Sequence, residues 1–372
     1  MDETLVDDET LPLARKSLLP GEGFFYPDEF DEARAEAEAA ERLEEASVAV
    51  VADPDADGLG CVALIREAYG EGALLPAGPH EIEDGLAYAA EYGEPGLTVF
   101  VCDLCPDRFA YVEEELHALV AHAETVRWFD HHQWDDEVAA QVREAGVDLV
   151  VGDSETECTT DVALRSIEYE FPERFSDLAA ATRDHDLWIR EDPRSDDLAD
   201  FAYWSEPEEY VEAVGAFGAD LPDDVLEFLA EQRIEKEALI EQAVSRSVIR
   251  EVGPWTVGVT YGRCSQNEVA EAMREQGADA SVVVKPAGSA SIRGSDGFER
   301  CHEVAGQVNG GGHPRAAGCK PDVYDDMLDY AHHWTTQGAV TKRVILEAFR
   351  TLVEEEAGKR GDDEAAADEP AA

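Results

Sequence analysis

A set of aspartates and two adjacent histidines have the types and spacing to hold metal ions. They are Asp55 and Asp57 in Asp53-Pro54-Asp55-Ala56-Asp57-Gly58, then Asp103, then Asp130-His131-His132, then an acid from Asp184-His185-Asp186. Oxygen and imidazole donors together suit Mn²⁺, with Mg²⁺, Co²⁺ or Fe²⁺ also fitting. Carboxylates crowded at one edge repel each other unless cations neutralise them. Two ions about 3.5–4 Å apart would do this, and would also bind phosphoryl oxygens and activate a water. Each piece is weak alone in a chain with 85 acidic residues, where an Asp-x-Asp-Gly turn is common. The combination, gathered at strand ends, is specific.

Four strand-like segments supply those ends: the continuous apolar run 47–52, then 97–102, 125–129 and 147–151. Continuous apolar runs suggest strands buried on both faces. Helical spacing between them predicts an α/β domain with a parallel sheet, whose ligand edge lies at the strands' C-terminal ends. An Ala/Glu helix near 31–46 precedes the first strand, and helices are expected over 159–190. Thr159 and Thr160 read as a helix start. Apolar residues from Val225 to Val248 recur at helical spacing and predict a long connecting helix, with a second domain starting near Gly253-Pro254. Strands are expected there at 255–260, 280–284 and 289–292. A helix start at Ser265-Gln266-Asn267-Glu268 and a glycine-rich loop, Gly310-Gly311-Gly312-His313, are expected as well.

The order Asp55-x-Asp57-Gly58, Asp103, Asp130-His131-His132, Asp184 resembles the DHH phosphoesterase superfamily. The stretch Gly310-Gly311-Gly312-His313-Pro314-Arg315-Ala316-Ala317-Gly318 resembles that superfamily's DHHA1 substrate domain. The resemblance covers roughly residues 46–335. It implies a DHH catalytic domain over 46–222 after an acidic extension (1–45), a connecting helix (223–250), a smaller α/β DHHA1 domain (251–338), and a helix with an acidic disordered tail (339–372). It also implies Asp55, Asp57, Asp103, His131 and Asp184 as metal ligands, with Asp103 bridging, and His132 beside the scissile phosphate. Ser291 and Arg293 of a Ser-x-Arg motif would hold substrate phosphate, with Gly310, Gly311, Gly312, His313 and Arg315 facing the metals. One departure stands out. Where many members carry His, four residues before Asp55, this chain has Val51. Asp53 is then either a substitute ligand or a loop cap, a pattern that resembles the RecJ-like and archaeal branches. Asp186 competes with Asp184 for the last ligand position.

Composition bounds the rest. The chain has 372 residues with 29 basic against 85 acidic side chains, a net charge of −56. With 44% hydrophobic residues it can still bury a core. Acid spread over the whole length looks like the surface of a halophile, whose self-repulsion molar salt screens. Residues 251–320 are spared: seven basic side chains face eight acidic ones, as expected of a segment that is buried or meets an anion. No apolar run approaches the roughly 18 residues of a membrane span, and the acidic N-terminus is unlike a signal peptide, so a cytoplasmic location is expected. Seven cysteines, an odd number, argue against a disulfide framework. Cys102-x-x-Cys105 lacks the second pair of a zinc ribbon. No Gly-x-Ser-x-Gly elbow and no P-loop are present.

The expected activity is Mn²⁺-dependent hydrolysis of phosphodiester bonds in single-stranded DNA or RNA, with closure about the connecting helix. The alternative is a phosphoesterase for short oligonucleotides, cyclic dinucleotides or 3′-phosphoadenosine 5′-phosphate. A rival of another class is a non-catalytic subunit of a replication complex. A replication or repair partner is compatible with each.

Overall fold

The computed structural model describes residues 28–79, 81–324 and 327–367. The chain divides into two compact units within one helix, the first spanning Glu32–Gln232 and the second beginning at Arg233. Most of the acidic 1–45 extension, residues 1–27, lies outside the described residues.

The first unit runs α1 (Asp28–Leu43), β1 (Val48–Ala52), α2 (Ala56–Tyr69), β2 (Ala73–Pro76), α3 (Ile82–Tyr92), β3 (Thr98–Cys102), α4 (Glu113–His122), β4 (Thr125–Asp130), α5 (Asp136–Glu144) and β5 (Asp148–Val151). Four helices follow: α6 (Thr159–Ser166), α7 (Glu173–Asp186), α8 (Ser195–Trp204) and α9 (Pro207–Phe217). The five strands form one parallel sheet in the order β2-β1-β3-β4-β5. Alternation within β1 explains why its sequence is continuously apolar. Val48, Val50 and Ala52 enter a core with Phe100, Cys102 and Phe129, while Ala49 and Val51 enter a separate core with Val99, Val101 and Trp128. Burying each such large side chain stabilises the fold by about 1.5–3 kcal/mol. Val51 is thus committed to the apolar face. The short strand β2 was not foreseen, because four residues ending in Pro76 carry too little pattern.

The strand order reverses direction between β1 and β3, the switch point where parallel sheets open a crevice. Asp53–Asp57 leave β1 there and Asp103 leaves β3. The turn out of β1 is tight: a Cβ at Gly58 would stand 2.2 Å from the Asp53 carbonyl oxygen, so only glycine fits.

The connecting helix α10 (Asp223–Ser245) is shorter than the spacing suggests. Val248 continues the i, i+4 series, but residues 248–250 belong to β6 (Val248–Val252), not to the helix. Gly253-Pro254, expected as the start of the second domain, is instead the turn of the hairpin between β6 and β7 (Trp255–Tyr261); Gly253 takes φ +60° there. The second unit continues with α11 (Gln266–Glu275), β8 (Ala280–Val284), β9 (Ala290–Gly294), α12 (Cys301–Gly306), β10 (Gly310–Gly312), β11 (Ala316–Cys319), α13 (Met327–Thr335) and α14 (Ala339–Ala367). Its mixed six-stranded sheet has the order β10-β11-β9-β8-β7-β6, with only β7 and β8 parallel.

Two further expectations are corrected. The three glycines form an exposed edge strand hydrogen-bonded to β11, not a loop. The acidic stretch from 354 onward is helical as far as Ala367, since Ala- and Glu-rich sequence favours helix; residues 368–372 lie outside the described residues. No helix among the described residues is long and apolar enough to cross a membrane.

Candidate metal centre at the parallel-sheet edge

Asp55 caps α2, its Oδ1 accepting from Asp57 N (2.9 Å) and Gly58 N (3.1 Å). Asp57, in the first turn, is 2% exposed. Its Oδ2 accepts from Thr159 N (2.6 Å), and its Oδ1 from Thr160 N and Thr160 Oγ1 (both 2.7 Å). The free amides at the start of α6 therefore grip this carboxylate, as helix N-termini do with anions. Thr159 Oγ1 also donates to Asp103 Oδ1 (2.9 Å). The two threonines do start a helix, but they also hold two acids of the centre, a role that sequence reading missed. A Thr pair at a helix start shortly after a sheet strand was the available signal.

Asp103 follows β3 with φ +60°, a left-handed conformation that aspartate tolerates better than most residues. Its backbone N donates to Phe129 O (3.1 Å), and the loop beyond is pinned by buried Trp128, whose Nε1 donates to Leu104 O (2.8 Å). At the end of β4, buried Asp130 organises both histidines. Its Oδ1 accepts from the backbone N of His131 (2.8 Å) and of His132 (3.3 Å) and from His132 Nδ1 (2.7 Å); its Oδ2 accepts from Trp134 Nε1 (2.6 Å).

His131 is the hub. Its Nε2 lies 3.3 Å from Asp186 Oδ2 and 3.9 Å from both Asp57 Oδ2 and Asp103 Oδ1. Two groups offer ligand atoms within 4.8 Å of one another: Asp57, His131 and Asp186, and Asp103, His131 and His132. Neighbouring ligand atoms on an octahedral ion with bonds of about 2.1 Å stand about 3 Å apart, so these separations fit divalent ions after small adjustments.

The electrostatics support the same fit. Burial, then Asp57 and Asp55, holds the Asp103 carboxyl well above its usual range, and the Asp186 carboxyl likewise. Burial and Asp57 raise Asp55. Burial and Asp55 push Asp53 up to about 8. For His132 burial alone would lower the pKa, but Asp130 outweighs it and lifts it to about 9. Reciprocally, His132 overcomes burial and keeps Asp130 below its ordinary value. Among the described residues the centre is an excess of negative charge, and divalent cations would relieve it.

Asp184 is not part of either group. Its Oδ1 accepts from Glu191 N (2.9 Å) and its carbonyl from Ile189 N (2.8 Å) and Arg190 N (3.3 Å), so it ties the chain leaving α7. Helical residues two apart point about 200° from each other, so Asp184 and Asp186 cannot both face the sheet edge. Arg183, bonded to Asp161 of α6 (2.8 and 3.0 Å), helps set which one does. His185 Nδ1 lies 3.2 Å from Asp196. An Asp186→Asn variant should lose Mn²⁺ affinity by at least about 10–100-fold, a loss that even an outer partner can cause, while Asp184→Asn leaves it within about twofold. Titration of Mn²⁺ by calorimetry checks this, and the reverse ranking would restore Asp184 as the ligand. Asp53 and Asp55 also lie outside both groups.

In the second unit, Arg293 Nε donates to Asn267 Oδ1 (2.8 Å), and Ser291 Oγ is buried with no partner among the described residues. His313 N donates to Ala316 O (2.7 Å). Arg315, expected to face substrate, is bound by acids of its own unit: Glu299 accepts from it at 2.7 Å, and Asp296 lies 2.8 Å away.

No family model and no curated protein matches the chain. Solved structures do. The chain is similar to exonuclease RecJ bound to manganese, with 16% identity and TM-score 0.51 over 88% of this chain and 96% of that one. It is similar to the DHH domain of a member of the s1p family of ribosomal proteins, with 15% identity and TM-score 0.53 over 90% and 93%. It is also similar to RecJ in complex with Mn²⁺ from Thermus thermophilus, with 16% identity and TM-score 0.53 over 89% of this chain and 56% of that one. At these identities the likeness is one of fold: an α/β chain with the five-stranded parallel sheet of DHH-domain proteins.

Proposed function

We propose that the chain is a metal-dependent phosphoesterase of the DHH superfamily that hydrolyses phosphodiester bonds of single-stranded nucleic acid. The observation that carries this reading is the pair of ligand groups sharing His131 at the sheet's switch point. Two divalent ions, Mn²⁺ by preference of the mixed donor set, would supply an activated water and neutralise phosphoryl charge when bound. Asp57, Asp103, His131 and Asp186 would hold them; the amides of α6 fix Asp57, and the Thr159 hydroxyl fixes Asp103. His132, whose Nδ1 bonds Asp130, is the residue proposed beside the scissile phosphate, where it would donate to a phosphoryl oxygen. Ser291 and Arg293 are the proposed phosphate contacts of the second unit, with the Gly310–Gly312 strand and His313 beside the substrate.

The RecJ-like fold favours long single strands as substrate. The net charge of −56 favours a molar-salt setting of the haloarchaeal kind, in which a basic channel gains little from counterion release. The test is Mn²⁺-dependent hydrolysis in molar KCl of end-labelled single-stranded DNA, RNA, dinucleotides and 3′-phosphoadenosine 5′-phosphate. Stepwise shortening of the long strands is expected. Turnover confined to the short substrates would replace the exonuclease with a short-oligonucleotide phosphoesterase. No turnover by folded, metal-loaded protein would favour a non-catalytic replication subunit.

A further inference from the structure

Among the described residues of the first unit, Arg108 is the one arginine that neither an acid nor a carbonyl answers. Every other arginine there donates a hydrogen bond, most of them to a carboxylate. The Arg108 guanidinium instead lies 5.9 Å from the ring centroid of Tyr111, which is 52% exposed at the end of a short 3₁₀ turn. Arg108 lines a cavity of about 420 Å³, within the about 300–1,000 Å³ usual for small-ligand sites. One wall is the turn that follows Asp103, residues 107–113. The other is the start of α5, which follows His132. Phe109 and Val138, both in the apolar core, form its inner side. Both walls are tied to the residues that position the metal centre. Trp128 Nε1 donates to Leu104 O (2.8 Å), Trp134 Nε1 donates to Asp130 Oδ2 (2.6 Å), and the two indoles meet edge-on at 5.4 Å.

The charges that line this cavity decide what it can hold. Asp107, Glu113, Asp135 and Glu137 line it against the single charge of Arg108. The amide ends of α4 and α5, which would otherwise draw an anion, carry acids in their first turns. A phosphate therefore meets net repulsion here. In molar salt, moreover, a strand gains little from phosphate charge anywhere on the chain, so its bases are what remain to be held. A nucleobase is flat and neutral, and it stacks on tyrosine rings and guanidinium planes alike. Although four acids share the cavity, none pairs with Arg108 among the described residues, which leaves the face of its guanidinium free for such a ligand.

We propose that this cavity takes a nucleobase of the substrate strand, stacked on Tyr111 and Arg108 beside the metal centre. The inference rests on the proposed function for its ligand, a single strand; the choice of base over backbone comes from the acids that line the cavity. Arg108 contributes the plane of its guanidinium, which lysine lacks, and Tyr111 contributes its ring.

The experiment is fluorescence anisotropy of the metal-free full chain in molar KCl, titrated against end-labelled oligodeoxycytidine and an abasic deoxyribose-phosphate strand of the same length. The two strands carry the same phosphates and differ only in having bases. Tyr111→Ser and Arg108→Gln should each weaken binding of oligodeoxycytidine by at least about fivefold, the scale of one stacked base. Both should leave the affinity for the abasic strand within about twofold. Arg108→Lys should lose as much as Arg108→Gln, because it keeps the charge and not the plane. Equal losses on both strands would make Arg108 a phosphate contact and overturn the base site, as would unchanged binding of oligodeoxycytidine or full retention in Arg108→Lys. If Tyr111→Ser melts several degrees lower, Tyr111→Phe decides: it keeps the ring, and binding weaker than wild type overturns the site. Because the titration needs neither metal nor turnover, hydrolysis of long strands with base-independent binding would reject the cavity and keep the phosphoesterase. Base-dependent binding that the variants lose, without any hydrolysis, would do the reverse.

Discussion

An Asp103→Asn variant should lose Mn²⁺-dependent hydrolysis by at least about 10³-fold while remaining folded. The size follows from removing a charged group at the reacting centre, where one preorganised polar contact is already worth about 10²–10³. Folding should survive because asparagine keeps an oxygen for the Thr159 hydroxyl and the same tolerance for φ +60°. The metal-free variant should in fact melt higher than the metal-free wild type. In the wild type burial, then the facing carboxylates of Asp57, Asp55 and Asp186, raises the pKa of this carboxyl, and the amide removes the cost of that burial and repulsion. Loss of activity with a raised metal-free melting temperature separates a functional acid from a structural one. Activity within tenfold of wild type would reject Asp103 as a participant, and a lowered melting temperature would make it a structural residue.

Adding Mn²⁺ should raise the melting temperature of the wild type by about 5–10 °C when the ion is at about a hundred times its dissociation constant. One occupied site at that ratio adds about 2.7 kcal/mol, and each kcal/mol moves a unit the size of the first by roughly 2–4 °C. The measurement belongs in molar KCl, which suppresses non-specific association of cations with an acidic surface. Chelator should reverse the shift, Asp103→Asn should abolish most of it, and Asp184→Asn should retain it. An equal shift in wild type and Asp103→Asn would place the bound ions on the general acidic surface instead.

The parallel sheet was legible because β1 and most of β3 are apolar on both faces, and that signal needs no tertiary knowledge. The aspartates at their ends were legible for the same reason. The choice between Asp184 and Asp186 was not, because both satisfy the motif and only the rotation of α7 against α6 decides between them. Thr159 and Thr160 looked like helix starters because capping accounts for such residues locally; their bonds to Asp57 and Asp103 come from packing. The strand β6 was hidden because Val248 happens to extend the spacing of α10. Arg315 illustrates a different limit: a basic residue beside a glycine run looks available until Glu299 and Asp296 are seen to hold it.

The grip of α6 on Asp57 also sets the order in which the protein can be built. Thr159 and Thr160 stand 102 and 103 positions after the acid they hold. Asp186 comes later still. A chain emerging from the ribosome displays Asp57, Asp103 and His131 well before the donors and the last acid that complete the centre. Closing a loop of that length delays such contacts relative to local ones. The nascent sheet therefore offers only loose carboxylates, and tight metal capture becomes a late event that reports the arrival of α6 and α7.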